Sequence, residues 1–211
     1  MSPYTHTHKR EINDTAEDIL LFLYLLKRAG NNVSGNNAFE AQKKLMKLVF
    51  LAEKEMIDKQ YKGFNFFFNV FKYGPSSMEV LRLADDLKER GLIEFDNANF
   101  TYTLASRGRS LINEFEKEEG RDNNKVFFEA IDKIISKYGS LTTQEIIEKV
   151  YAMKIVPLYG KKPIEIGKAV KDGKRDRLFM KLENARKEFS VSKDWVATVN
   201  ILMNSSLADL V

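Results

Sequence analysis

The chain of 211 residues contains no cysteine. That excludes disulfides, a thiol nucleophile and thiolate zinc sites together, and it suits a reducing cytosol. Its two histidines, His6 and His8, both fall in a polar N-terminal stretch, so no imidazole is placed to act as a buried general base. His6-Thr-His8 has chelating spacing in an extended chain, but it lacks further ligands nearby, and accidental composition accounts for it better. Long apolar runs are missing as well. The longest, Ile19 to Leu26, is too short to span a bilayer, and it follows Glu17 and Asp18 where a secretory signal would be basic. Near-motifs fail in the same way. Gly160-Lys-Lys-Pro163 lacks the glycine spacing and the Ser/Thr of a phosphate loop, and the pairs Asp85/Asp86 and Glu118/Glu119 are sequence neighbours that do not converge. These absences predict a cytoplasmic, soluble protein without catalysis, metal or cofactor.

What is present is an ordinary globular balance, 44% hydrophobic and 30% charged, with a net charge of +4. The positive charge is uneven. Between Lys154 and Lys187 there are eleven Lys/Arg against four Asp/Glu, which is more than the whole excess. A polyanion site is therefore expected in the C-terminal third.

Periodicity predicts a mainly α protein with a small antiparallel β component. After a loose arm over 1–13, Asp14 or Thr15 caps a helix bearing Ile19, Phe22, Leu23 and Leu26, which Gly30 ends. A second helix spans about Ala38 to Asp58. Leu45, Leu48, Val49, Ala52 and Met56 share its buried face, with Lys43, Lys44, Lys47 and Lys54 mostly away from it. Phe64 to Tyr73 has strand character until Gly74-Pro75, and its phenylalanines are expected in the core. Ser76 or Ser77 then caps a helix from Met78 to Arg90 with Val80, Leu83, Ala84 and Leu87 inward and Gly91 as its stop. Leu92–Phe95 and Phe100–Leu104 form a hairpin, and Ser106 caps the next helix. Beyond a charged, turn-rich stretch the pattern gives helices at Val126–Lys137, from a capping box at Thr142 to Met153, at Lys174–Phe189 and at Lys193–Met203.

Helix, helix, capped helix, hairpin, helix is the order of a winged helix, so 14–120 is read as a winged-helix-like N-terminal domain and 121–211 as a basic helical C-terminal region. Two segments, Lys47-Leu-Val-Phe-Leu-Ala-Glu-Lys-Glu55 and Phe71-Lys-Tyr-Gly-Pro-Ser-Ser-Met-Glu-Val80, resemble the signature of the Panacea, or phage-associated SocA-like, family. The resemblance covers about residues 15–115. Tyr73-Gly74-Pro75 is its most specific step, and Ser76 stands where that family usually has Phe, Tyr or Val. It implies a fold related to winged helices with extra strands between the second and third helices. It also implies kinship with antitoxins that neutralise toxins by direct binding.

Two function classes follow. The first is a nucleic-acid-binding, winged-helix transcriptional regulator, with Lys72, Arg82, Lys88, Arg90, Arg107 and Arg109 on phosphate and a second basic patch at Lys174, Arg175, Arg177 and Lys181. The acidic residues Glu79, Asp85, Asp86 and Glu89 make the third helix a poor groove face. The second class is an antitoxin-like module that binds a toxin-like protein without catalysis. DNA, such a partner protein and a second copy of the chain stand as the candidate partners.

Overall fold

The computed structural model describes residues 12–119, 124–155, 162–173, 177–178 and 185–205. His6, His8 and most of the expected arm lie outside them. α1 (Ile12–Ala29) begins ahead of the expected caps, so Asp14 sits in its first turn. Ala16, every residue from Ile19 to Leu26, and Ala29 are buried. A helix that is apolar all round must be covered all round. Its cover comes from α4 (Ser106–Glu118), α5 (Lys125–Tyr138) and α8 (Lys193–Asn204). Polar ties fix the angles: Tyr24 and Arg28 both donate to Asp132 of α5, at 3.0 and 2.6 Å, and Lys27 pairs with Glu116 of α4.

α2 spans Ala38–Asp58, and Asn37 caps it by accepting from the Glu40 backbone N–H at 3.0 Å. It is packed by α5, by α6 (Thr143–Tyr151) and by the strands that follow it. This crowding corrects one expectation. Lys44 and Lys47 were placed away from the buried face, yet they are 5% and 2% exposed. These two lysines are covered because β strands and α6 close over the flank that a two-layer packing would leave wet, while Lys43 and Lys54 remain half-exposed.

After α2 come β1 (Tyr61–Lys62), β2 (Phe68–Phe71) and β3 (Gly74–Ser76). β2 and β3 form a hairpin in which Val70 faces Pro75 and Phe71 faces Gly74. Gly74 and Pro75 thus continue the sheet as a return strand where a simple break was expected. Residues 64–67 are not strand despite their composition. Their backbone N–H groups go to side-chain carboxyl groups: Phe64 donates to Glu53, Asn65 to Asp18 and Phe67 to Glu79, at 2.7–2.8 Å. Three helices therefore satisfy donors that a neighbouring strand would otherwise take. Phe64, Phe66 and Phe68 are core, as expected, whereas Phe71 is 55% exposed.

α3 (Met78–Glu89) buries Val80, Leu83, Ala84 and Leu87. Gly91 ends it at φ +65°, a conformation glycine adopts without strain. Ser77 occupies its N-cap position without a side-chain cap bond. β4 (Ile93–Asp96) and β5 (Thr101–Leu104) pair antiparallel, Ile93 opposite Leu104, and the Val33 carbonyl and Ser34 extend that ladder along β5. α4 takes Ala105 as its N-cap, so the expected Ser106 cap is corrected: Ser106 is already the first helical residue. The capping box at Thr142 is complete, with Glu145 and Thr142 bonded reciprocally.

β6 (Lys154–Ile155) and β7 (Ile164–Glu165) pair antiparallel before α7 (Ile166–Lys171). The expected helix Lys174–Phe189 is overturned where it is described. β8 (Arg177–Leu178) joins the open edge of β2, and β9 (Lys187–Glu188) runs parallel to β1. Phe189 is buried against Phe115, Phe127 and Phe128. Of the stripe's side chains that are described, Phe189 is core and Ala185 half-buried, and here edge pairing outweighs propensity. The result is a mainly α protein with small strand pairs, antiparallel apart from β1 with β9, whose buried residues from α1 to α8 form one apolar cluster. Among the described residues, no helix is long and apolar enough to cross a membrane.

Candidate functional site

α2 presents Phe39, Lys43, Met46 and Lys47 along one flank, at the helical spacings that align side chains. The β2–β3 hairpin folds beside this flank and brings in Phe71, Lys72 and Tyr73, with Leu81 of α3 at the end. Between them lies an open, mostly apolar groove of about 270 Å³. The Phe39 and Tyr73 rings meet edge to face with centroids 5.5 Å apart. The Lys43 ammonium lies 4.6 Å from both centroids, within cation–π range of each. Lys72 adds a second amine 5.4 Å from the Tyr73 centroid.

Lys47 lies at the base, and its Nζ donates to the Pro75 carbonyl at 2.6 Å. Burial, with a smaller contribution from neighbouring Lys43, pushes its pKa down to about 7. Gly74 at φ +87° turns the hairpin, and a Cβ there would stand 3.2 Å from the Tyr151 ring. The Tyr151 hydroxyl donates to the Lys72 carbonyl at 3.2 Å, which ties α6 to the turn. The tyrosine of the Tyr73-Gly74-Pro75 step thus forms the wall of the groove, the glycine makes its bend and the proline carbonyl holds the amine beneath.

Among the described residues, the cations singled out in the sequence are spread over the groove, α3 and α4. Lys72 is exposed at the groove. Arg82 and Arg109 are exposed on α3 and α4, and Lys88 pairs with Asp85 of its own helix at 3.3 Å. Arg90 and Arg107 are half-buried: Arg90 donates to the Ser205 carbonyl at 2.9 Å, and Arg107 donates to the Arg90 carbonyl at 3.3 Å. These two join the end of α3 to α4 and α8. Lys174, Arg175 and Lys181 lie outside the described residues, and Arg177 is described by its backbone alone, in β8. The groove residues Phe39, Lys43, Met46 and Lys47 were missed. The available signal was an aromatic residue, Phe39, on the lysine stripe of α2.

Buried carboxyls cluster elsewhere, around the 64–67 loop. Burial raises Glu53 to about 8, opposed by the Phe64 N–H, and raises Glu17 to about 7, opposed by the Asn65 amide. A separate polar cavity holds Lys44, whose pKa is lowered by burial and supported by Glu145. Among the described residues, no group of three or more His, Asp or Glu is arranged to hold a metal ion.

Fold and groove together describe a mainly helical protein that presents aromatic side chains beside amines. The chain belongs to the antitoxin SocA-like, Panacea domain family, whose model matches residues 45–154. That span contains the hairpin, Met46, Lys47, Leu81 and Tyr151, while Phe39 and Lys43 lie just ahead of it. Neither a curated protein nor a solved structure matches the chain.

Proposed function

We propose that this protein is an antitoxin-like, non-catalytic binding module that neutralises a partner protein by direct contact through the groove between α2 and the β2–β3 hairpin. The family membership supports the class. The observation that carries the surface is Phe39, 53% exposed and edge-on to Tyr73, with Lys43 against both rings. Exposed Phe39 and Phe71 beside half-buried Tyr73 have the composition of interface anchors, which bury well when a partner arrives.

The nucleic-acid regulator has less support. The exposed side of α3 carries Asp85, Asp86 and Glu89 beside Arg82 and Lys88, and carboxylates oppose the phosphate contacts that supply most of the affinity. The guanidinium groups of Arg90 and Arg107 are committed to backbone carbonyls.

The test is expression of the adjacent reading frame, alone and together with this chain. Growth arrest by the neighbour, relieved by co-expression and accompanied by co-purification, is expected. Arrest that persists, with no complex, removes the antitoxin reading. Retardation of nonspecific duplex at low salt and its loss at high salt would restore the regulator.

A further inference from the structure

We infer that the groove receives an acidic segment of the partner protein, with one aromatic or leucine side chain seated against Phe39, Met46 and Tyr73 and flanking carboxylates meeting Lys43 and Lys72. This rests on the partner-binding reading above and adds the chemistry of what is bound.

The first argument is charge. Among the described residues, three lysines line the groove and no carboxylate does. The ion pairs of this region run elsewhere: Lys54 to Asp58, Lys133 to Glu55, and Lys88 to Asp85. Lys43 lies against two ring faces, and an ammonium with three N–H groups that faces two rings keeps one for a carboxylate approaching from solvent. A basic or neutral segment would meet the solvent-facing amines of Lys43 and Lys72 with no counter-charge among the described residues. An acidic one supplies the missing charge and also gains steering on approach.

The second argument is shape and lining. A volume of about 270 Å³ that is open along one side suits a side chain on an extended segment. Its walls are aromatic rings, a thioether and Leu81, a lining that rewards an apolar anchor and tolerates more than one shape of it. The third is rigidity. Gly74 at φ +87°, the Pro75 carbonyl on Lys47 and the Tyr151 hydroxyl on Lys72 hold the turn in place, so the site is formed before anything binds.

The experiment is selection of random short peptides on the immobilised full chain at low ionic strength, repeated on Lys43→Glu/Lys72→Glu and on Phe39→Ser. Both variants change side chains that are exposed or half-exposed, and unchanged circular dichroism and thermal midpoint certify their fold. Expected are sequences in which an aromatic or leucine is flanked by Asp/Glu. Their affinity, read by fluorescence anisotropy, should fall at least about tenfold in each variant and weaken as salt is added. Enrichment of basic or uncharged peptides, or affinity unaltered by the charge reversal, overturns the inference. So does light scattering that reveals a dimer dissolved by Phe39→Ser, since the groove would then be covered by a second copy. A neighbouring gene product that binds wild type and both variants alike leaves the antitoxin reading standing and sinks the groove. Acidic peptides that select and map to the groove, beside an inert neighbour, do the reverse.

Discussion

The Nζ of Lys47 reaches the Pro75 carbonyl at 2.6 Å from beneath the hairpin, so an amine only 2% exposed joins α2 to the turn that shapes the groove. Its pKa of about 7 lies below the ordinary lysine value of 10.5 because burial disfavours the charged form. Between these two values the unfolded chain binds more protons than the native one, so stability contributed by this group rises with pH. The unfolding free energy read from urea titrations is expected to climb from about pH 8 to about pH 10, by up to about 1.4 kcal/mol per pH unit. In Lys47→Met that climb should shrink to the part that Lys44, also lowered by burial, contributes. An identical slope in the variant would mean that the amine is not the source.

Glu53 works in the opposite direction. Burial keeps its proton on to about pH 8, against 4.5 for an ordinary carboxyl, so the native state holds more protons between those limits. Stability therefore falls as pH rises through that window, and Glu17 adds to the fall up to about pH 7. Glu53→Gln keeps an acceptor for the Phe64 N–H. It should flatten the decline and exceed wild type in stability near neutral pH, measured by urea unfolding.

Gly74→Ala places a methyl group 3.2 Å from the Tyr151 ring at a φ of +87°. The left-handed conformation alone costs about 1–2 kcal/mol for a residue with a side chain. The variant should lose at least that much in urea titration and should also weaken partner binding. Gly173, also at positive φ but with nothing within 4 Å, provides the control in which only the backbone term remains.

Trp195, the sole tryptophan, packs its ring at 5.2 Å and 83° to Phe115 and donates from Nε1 to Glu118 at 3.1 Å. Phe115→Ala opens a cavity in the aromatic cluster where α8 docks, and about 3–5 kcal/mol of stability should go with it. Tryptophan emission should move to longer wavelength before global unfolding. Emission that stays fixed until the cooperative transition would show that α8 does not loosen separately.

Helical elements were legible in the sequence because their signals are local. The Val80–Leu87 stripe, Gly91 and the Thr142 capping box each act within a turn or two, and each does in the structure what its type dictates. The failures are contacts made at long range. The pairing of Arg177 and Leu178 could not be read from spacing, because this segment becomes strand only when β2, far earlier in the chain, offers an open edge. The burial of Lys44 and Lys47 depends likewise on α6 and the hairpin closing over α2. The groove was half visible. Tyr73-Gly74-Pro75 stood out as a motif, but its function as a wall emerges only when Phe39 and Lys43 are set across from it.

The parallel partnership of β1 with β9, and the antiparallel one of β2 with β8, stitch the C-terminal third to the centre of the chain. Cutting the protein to residues 45–154 would strip both seams and remove the apolar shaft of α1 as well. Such a fragment would display raw backbone edges and an uncovered oily wall, a combination that invites sticking to itself. Trials of partner recognition therefore belong with the intact chain, since a clipped version would report its own clumping.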